Sequence, residues 1–182
     1  MTPTFDPIMS ALARSHALDP AAAAVTAIGR GIPRALARRA QELLGHPSHP
    51  VFTDLPIGFW TSAWFLDLLP GRTDTATAAR RLIALGVLST VPAVVSGLGD
   101  ASNLKRGERR LSAAHGGLNV AATAAFAMSW WMRRTETTGR ARIVCHVGAT
   151  LATAAAAIGG RLAFPAFDPQ AGDSAGDETV KV

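Results

Sequence analysis

Hydrophobic residues in this chain are gathered into four long runs that are separated by short segments rich in arginine. The runs cover residues 51–69, 82–98, 111–132 and 143–164. Each is about long enough to cross the roughly 30 Å hydrocarbon layer of a bilayer as a helix, and the second is the shortest. The polar residues inside the runs are mostly Ser, Thr and Gly, which closely packed membrane helices tolerate. The pattern predicts four transmembrane helices.

A soluble, alanine-rich bundle of four helices is the alternative interpretation. Helices of that kind carry a polar face at every turn. No charged residue occurs on any face over residues 121–132 or 147–160. The sequence therefore favours an all-α fold, a four-helix transmembrane bundle.

The residues on either side of the four runs have a different character. Residues 1–45 lack the basic start and apolar core of a secretory signal. Asp19 and Pro20 predict the start of a helix that extends to about residue 28, and a second short amphipathic helix is predicted over 33–44. This N-terminal segment lies on the membrane surface or packs over one end of the bundle. The polar, acidic tail over 165–182 is predicted to be disordered, which leaves residues 46–164 as the transmembrane domain.

The charge distribution points to a lipid partner. The 182-residue chain has a formal net charge of +5, and 17% of its residues are charged. Its arginines flank the apolar runs instead of alternating with aromatic residues, so we expect a lipid bilayer and no nucleic acid as partner. With four crossings, the excess of positive charge on the terminal side predicts cytoplasmic termini.

Tryptophans mark the predicted membrane interface. Trp60 and Trp64 lie one helical turn apart in the first run, while Trp130 and Trp131 end the third run beside two arginines. Aromatic residues next to arginines at a helix end are typical of the headgroup zone. All four are therefore predicted as membrane-interface residues.

The segment "GHPSHP" precedes the first run and carries two histidines, His46 and His49. Each is followed by a proline, which disfavours helical geometry at the residue before it. The segment is therefore predicted to be an extended elbow. The prolines account for that shape, but they do not account for the imidazoles.

Several polar residues are predicted to meet at one membrane face, because the first helix starts, the second ends and the third starts on the terminal side. They are His46, His49, Asp54, Asp100, His115 and Asn119. Ionisable groups near apolar segments are costly unless they are paired. His146 starts the fourth helix from the opposite side, so we expect it to be far from this group.

Imidazoles with a carboxylate suit a transition metal such as zinc, iron or copper, and two imidazoles can ligate a haem iron. His46, His49, His115 and Asp100 are the candidate metal or haem ligands, with Asp54 and Asn119 as supporting polar groups. Two other interpretations remain, a purely structural polar cluster and a proton-relay or quinone site. At the far end of the first helix, Asp67 is expected to pair with Arg72 or Arg142.

The order of the motifs resembles a bacterial family, domain of unknown function 2231. The motifs are "HPSHP", "DLPIGFWTSAWFLDLLP", "PAVVSGLGD", "HGGLN" and "IGGRL", and the likeness covers about residues 45–162. The resemblance implies a bacterial multi-pass protein of the inner (cytoplasmic) membrane. Asp54 stands where the family has an apolar or aromatic residue. Some relatives are similar to fusions with a Rieske iron–sulfur domain, which implies electron transfer, although one cysteine in this chain cannot hold such a cluster.

Two functions are compatible with the sequence. The first is an integral membrane subunit that binds a metal or haem and is associated with redox chemistry. The second is a structural or partner-binding membrane subunit with no cofactor. A redox protein or a second copy of the chain is the expected protein partner. No nucleophile–base pair or phosphate-binding loop stands out, so an enzyme is disfavoured, and the absence of charges near the middle of the runs disfavours a transporter.

Overall fold

The computed structural model describes residues 6–33, 35, 39, 42, 45, 48–69, 73–102, 104–134 and 138–163. Over these residues the chain forms six α-helices and one short 3-10 helix, and it contains no strand. The helices are α1 (Asp6–Arg14), α2 (Asp19–Arg30), α3 (Ser48–Leu68), α4 (Thr73–Ala101), α5 (Arg106–Met132) and α6 (Thr138–Ala163). The predicted all-helical fold is confirmed for this part of the chain.

The N-terminal segment forms two helices that are joined by the 3-10 helix His16–Leu18. The helix predicted from Asp19 is present as α2, with Pro20 in its first turn. The sequence analysis did not anticipate α1. The helix predicted over 33–44 falls largely outside the described residues.

The four long helices coincide with the four hydrophobic runs, but all four begin earlier than predicted. Helix α4 starts nine residues before its apolar run, and it includes Arg80 and Arg81. Arginine and alanine are good helix formers. Where they are described, Arg80 and Arg81 therefore extend the start of α4 and do not lie in a loop.

The prediction of an extended elbow at His49 is wrong. Helix α3 begins at Ser48, so His49 and Pro50 both lie in its first turn. Proline is tolerated in the first turn because its missing N–H would have no partner within the helix. The first-turn position therefore outweighs the restriction that proline places on the preceding residue.

The long helices pack as two hairpins. Helix α3 lies along α4, and α5 lies along α6, and these are by far the most extensive pairings. The hairpins meet through α4 against α5 and α3 against α6. Helix α1 packs on α5, and α2 packs on both α4 and α5. The two short helices thus cover the end of the hairpins at which α4 ends and α5 begins.

Helix α2 packs tightly on α4 at Gly29. A Cβ atom at this position would overlap the backbone carbonyl of Leu98. Glycine is therefore required there for the two helices to approach closely.

Two helices are long and apolar enough to cross a membrane, over residues Asp74–Ala101 and Gly139–Ala163. The described part of the chain thus supports two of the four predicted crossings. Helix α3 carries Asp54 and Asp67, and α5 carries His115 and Asn119 among its alanines. These polar residues lower the mean hydropathy of α3 and α5.

The outer faces of the helices are apolar. On α4 the exposed side chains Leu85, Leu88, Val91 and Val94 have 46–68% of their surface accessible. The main core lies between the hairpins and consists of Trp60, Ala63, Ala79, Ile83, Phe126 and Cys145. An exposed apolar stripe opposite a packed core fits a helix that contacts lipid.

Candidate functional site

His49 joins the two helices of the first hairpin. Its ring nitrogen Nδ1 lies 3.0 Å from the carbonyl oxygen of Ala93 and 3.0 Å from the hydroxyl of Ser96. An N–H at Nδ1 donates to the carbonyl, which fixes the tautomer and leaves the lone pair on Nε2. The ring rests on Gly97, where an added Cβ would lie 2.7 Å from His49 Cε1.

His115 joins the two helices of the second hairpin in the same manner. Its Nδ1 donates to the carbonyl oxygen of Ala155 at 2.8 Å. The ring rests on Gly159, where an added Cβ would lie 2.8 Å from His115 Cε1. Asn119, one turn further along α5, places its Nδ2 3.0 Å from His115 Nε2.

These hydrogen bonds orient the imidazoles. Each acceptor carbonyl lies inside a helix and already accepts the N–H four residues further on. The hydrogen bond from the imidazole N–H is therefore additional to the hydrogen bonds that the helix makes within itself. Histidines that ligate metals characteristically donate their other N–H to a backbone carbonyl or a carboxylate.

The structure brings together some of the predicted site residues. His49 interacts electrostatically with His115 and with Asp100. Asn119 joins the group through its contact with His115. Asp54 is exposed, and among the described residues no hydrogen bond or ion pair joins it to either histidine. His46 lies outside the described residues.

Three of the four candidate ligands, His49, Asp100 and His115, lie in the part of the chain that the structure describes. Among the described residues, no group of three or more His, Cys, Asp or Glu side chains is positioned to hold a metal ion. A closed structural zinc site needs four protein ligands.

A buried ion pair lies toward the other end of the hairpins. Arg133 donates to both carboxylate oxygens of Asp67, with 2.9 Å from its NH1 to Oδ1. Only 4% and 1% of these two side chains are exposed. Arg142 approaches the same carboxylate at 3.8 Å, as predicted, whereas the pairing with Arg133 was missed. Arg72, the other predicted partner, lies outside the described residues.

The hydroxyl of Ser129 supports this ion pair. It accepts a hydrogen bond from Arg133 Nε at 3.3 Å and donates to the carbonyl of Ala141 at 2.7 Å. A buried ion pair contributes little net stability because desolvation offsets the attraction, whereas removal of one partner alone is strongly destabilising.

The tryptophans occupy different environments. Trp60 lies in the core with 5% of its surface exposed. Trp64 is half-buried, and its Nε1 donates to His146 Nδ1 at 2.6 Å. Trp130 and Trp131 lie beside Arg134, whose guanidinium carbon is 5.2 Å and 5.3 Å from the two ring centroids. Trp131 is exposed, whereas Trp130 is half-buried.

A polar cluster fastens the N-terminal helices to α5. The buried guanidinium of Arg110 donates to both oxygens of Asp19, at 2.7 Å and 2.9 Å. It also donates to the carbonyl of Ala13 at 3.1 Å and to His16 Nδ1 at 2.9 Å. The hydrogen bonds from Arg110 lower the pKa of Asp19 to about 2. Sequence reasoning treated Asp19 only as a helix-starting residue and therefore missed this contact.

Comparison with known proteins bears on the fold and the location. Residues 45–164 match a family described as "Predicted membrane protein (DUF2231)". No curated protein and no solved structure matches the chain. The matched region begins just before α3 and ends just after α6, so it takes in both hairpins and both oriented histidines.

Proposed function

The chain belongs to the DUF2231 family of predicted membrane proteins, and from that premise we propose that it is a redox-associated membrane subunit that binds a haem or transition metal between His49 and His115. The observation that carries the proposal is the matched orientation of the two imidazoles. Each has its Nδ1 fixed by a carbonyl of the neighbouring helix, at 3.0 Å and 2.8 Å. Each can therefore offer Nε2 to a metal.

The donor set fits a haem iron better than a closed metal site. The two imidazoles come from two different hairpins. His49 of the first hairpin and His115 of the second would hold the haem iron through their Nε2 atoms. A bound haem would supply one-electron redox chemistry. Asn119 Nδ2 lies at hydrogen-bonding distance from His115 Nε2, so this amide has to move away when Nε2 binds iron.

The proposal includes four membrane crossings, with the chain in the inner membrane and both termini in the cytoplasm. The apolar outer face of α4 supports contact with lipid. The charges of Asp67 and Arg133 are compatible with crossing because the two side chains are buried against each other and face away from lipid. Intramembrane ionisable groups are tolerated in such pairs.

A structural subunit without a cofactor is the second candidate function. The packing of both imidazoles on glycines favours it, since each ring closes its hairpin at a position where a larger residue would not fit. In this case the histidines hold the helices together, and the surface of the hairpins binds a partner protein.

The two functions are separated by the composition and spectrum of the purified protein. Full-length protein is extracted in detergent, then assayed for iron, copper and zinc and for a haem Soret band, before and after addition of haemin. The proposal predicts bound haem or metal that is lost in both His49→Ala and His115→Ala. The matched control is His16→Ala, whose imidazole belongs to the N-terminal cluster.

Absence of haem and metal from the wild-type protein, even after addition of haemin, would contradict the ligand function. If both alanine variants also melt at lower temperature than the wild type, the structural function replaces it. If haem binds equally well to all four proteins, the two imidazoles are not its ligands.

A further inference from the structure

The buried positions of α3 recur in α5 at a constant spacing of 66 residues. The matched positions are buried or packed in both helices. They pair His49 with His115, Pro56 with Ala122, Trp60 with Phe126, Ala63 with Ser129, and Asp67 with Arg133, which directly follows the last residue of α5. A constant spacing over 19 residues means that the two helices present the same face in the same register.

The same relationship connects α4 and α6 at a constant spacing of 62 residues. The matched positions again lie on the packed side of each helix. They pair Ala79 with Ala141, Ile83 with Cys145, Gly86 with Gly148, Ala93 with Ala155, and Gly97 with Gly159. The first two pairs are fully buried in both hairpins.

Contacts within the hairpins repeat as well. Trp60 of the first hairpin packs on Gly86, and Phe126 of the second packs on Gly148, where an added Cβ would lie 3.1 Å from the ring. The two histidines form a second repeated set of contacts. Each ring packs on a glycine and donates a hydrogen bond to the backbone carbonyl one turn before that glycine. The likeness therefore extends from the register of the helices to the side-chain contacts.

Contacts between the hairpins join equivalent residues. Trp60 stacks on Phe126, with ring centroids 4.3 Å apart. Asp67 forms its ion pair with Arg133. The pairing of α4 with α5 has its counterpart in α6 with α3. When equivalent residues touch each other, they lie at a twofold axis between the units.

We infer that the hairpins α3–α4 and α5–α6 are two copies of one unit related by a twofold axis. Each hairpin presents at the axis a surface that binds the other copy. The charged residue on that surface is Asp67 in the first hairpin and Arg133 in the second, so the two surfaces carry opposite charges. Parallel repeats related by an axis along the membrane normal occur in other membrane proteins. Here the axis is filled by side chains, with an aromatic pair and an ion pair one above the other.

The charge at the axis selects which hairpins pair. Two copies of the first hairpin would place two buried carboxylates together at position 67. Two copies of the second would place two guanidinium groups together at position 133. Burial of like charges is costly, whereas the mixed pair satisfies both groups. Pairing of unlike hairpins is thereby favoured over self-association of either one, a specificity that rests partly on repulsion.

The repeat also assigns a counterpart to Arg142. This residue assists Asp67 from α6, with 3.8 Å between Nε and Oδ1. Its equivalent on α4 is Arg80, which is half-buried. A carboxylate transferred to position 133 would therefore find Arg80 where Asp67 finds Arg142.

A charge exchange in the full-length protein tests the inference. D67R and R133D are compared with the exchanged variant D67R/R133D, and Asp54→Arg is the control on the exposed side of α3. Each single reversal is expected to lower the Tm in detergent by about 10 °C. The exchange is expected to recover more than half of that loss, and the control is expected to stay near the wild type.

Arg142 and Arg80 provide a second test. The order of their effects on the Tm is expected to reverse between the wild type and the exchanged variant, which a purely local ion pair would not cause. In the wild type, Arg142→Ala is expected to lower the Tm more than Arg80→Ala does. In the D67R/R133D background the order is expected to reverse. An exchanged variant no more stable than the single reversals, or an unchanged order of the two arginines, would overturn the assignment of partner choice to the axis charge.

A milder exchange at the aromatic pair tests the repeat separately from the charges. W60F/F126W moves the indole to the second hairpin while it keeps one large and one small ring at the axis. Because both rings face a glycine, its Tm is expected to lie within about 4 °C of the wild type. A loss as large as that of Phe126→Ala would show that the two positions are not equivalent, and it would overturn the repeat.

Discussion

The indole of Trp60 stacks on the phenyl ring of Phe126 with centroids 4.3 Å apart and planes 13° from parallel. This contact joins the two hairpins at their centre. Phe126 is fully buried and Trp60 nearly so. Stability of the paired hairpins therefore depends on these two rings more than on any tryptophan at the surface.

Truncation of either ring is predicted to destabilise the protein strongly. Phe126→Ala is expected to lower the free energy of unfolding by about 3–5 kcal/mol, because a large buried side chain leaves a cavity. Trp60→Ala is expected to act similarly. The measurement is thermal unfolding in detergent, with the exposed Trp131→Ala as control. Equal effects of Trp60→Ala and Trp131→Ala would contradict the central position of the stack.

The two glycines that contact the histidine rings are predicted to be destabilising positions for an added methyl group. Gly97→Ala and Gly159→Ala are expected to cost about 1–3 kcal/mol, since each new Cβ would push against an imidazole. The matched controls are Gly99→Ala and Gly160→Ala, where nothing lies within 4 Å of the added Cβ. These controls are expected to stabilise their helices by about 0.5–1 kcal/mol. Thermal unfolding of the four variants measures these changes in stability. Equal changes at the glycines that contact a histidine and at their control glycines would contradict the prediction.

The Asp19–Arg110 contact is predicted to make attachment of the N-terminal helices sensitive to acid. Because the folded-state pKa of Asp19 is about 2, below its ordinary value of 3.8, the contact stabilises the fold fully above the ordinary value. The stabilisation is lost as the pH falls toward 2. We therefore expect Asp19→Asn to melt below the wild type at neutral pH and to converge with it in acid.

The measurement for this prediction is the Tm of both proteins over a pH series. The gap at neutral pH is expected to narrow in concentrated salt, because Asp19 is about half exposed and its charge is screened. A gap that widens in acid would contradict the predicted sign.

Cys145 is predicted to resist modification in the folded protein. Its side chain is fully buried between the hairpins. A hydrophilic maleimide is expected to leave it unlabelled in native detergent solution and to label it after unfolding in SDS. Rapid labelling of the native protein would mean that the hairpins separate.

The sequence predicted the helices well because the apolar runs are long and the breaks between them are rich in Gly, Pro and charge. It placed α2 from Asp19 and Pro20, and it identified the four long helices. Their starts were less accurate, since arginine and threonine are compatible with either a helix or a loop. At His49 the sequence analysis applied the rule for a residue before proline, but the first-turn position decided the outcome.

The contacts at the site were only partly predictable. The placement of His49, Asp100 and His115 toward the same end of the hairpins follows from the direction of the helices alone. The pairing of Asp67 with Arg133 depends on helix rotation, which the order of the runs does not fix. The 66-residue and 62-residue spacings are present in the sequence, and five of the ten matched pairs are identical small residues or histidines, but the pairs with large or charged side chains differ in type, as with Trp60 and Phe126. Only burial and contacts identify them as equivalent.

Labelling of single cysteines from the two sides of the membrane tests the central claim, that each hairpin crosses the bilayer and returns. Cysteines replace Arg72, Ser102 or Thr135 in a Cys145→Ala background, and vesicles of known orientation are treated with an impermeant maleimide. The account predicts that Ser102→Cys reacts from the cytoplasmic side, and that Arg72→Cys and Thr135→Cys react from the opposite side. Labelling of all three from one side would contradict it.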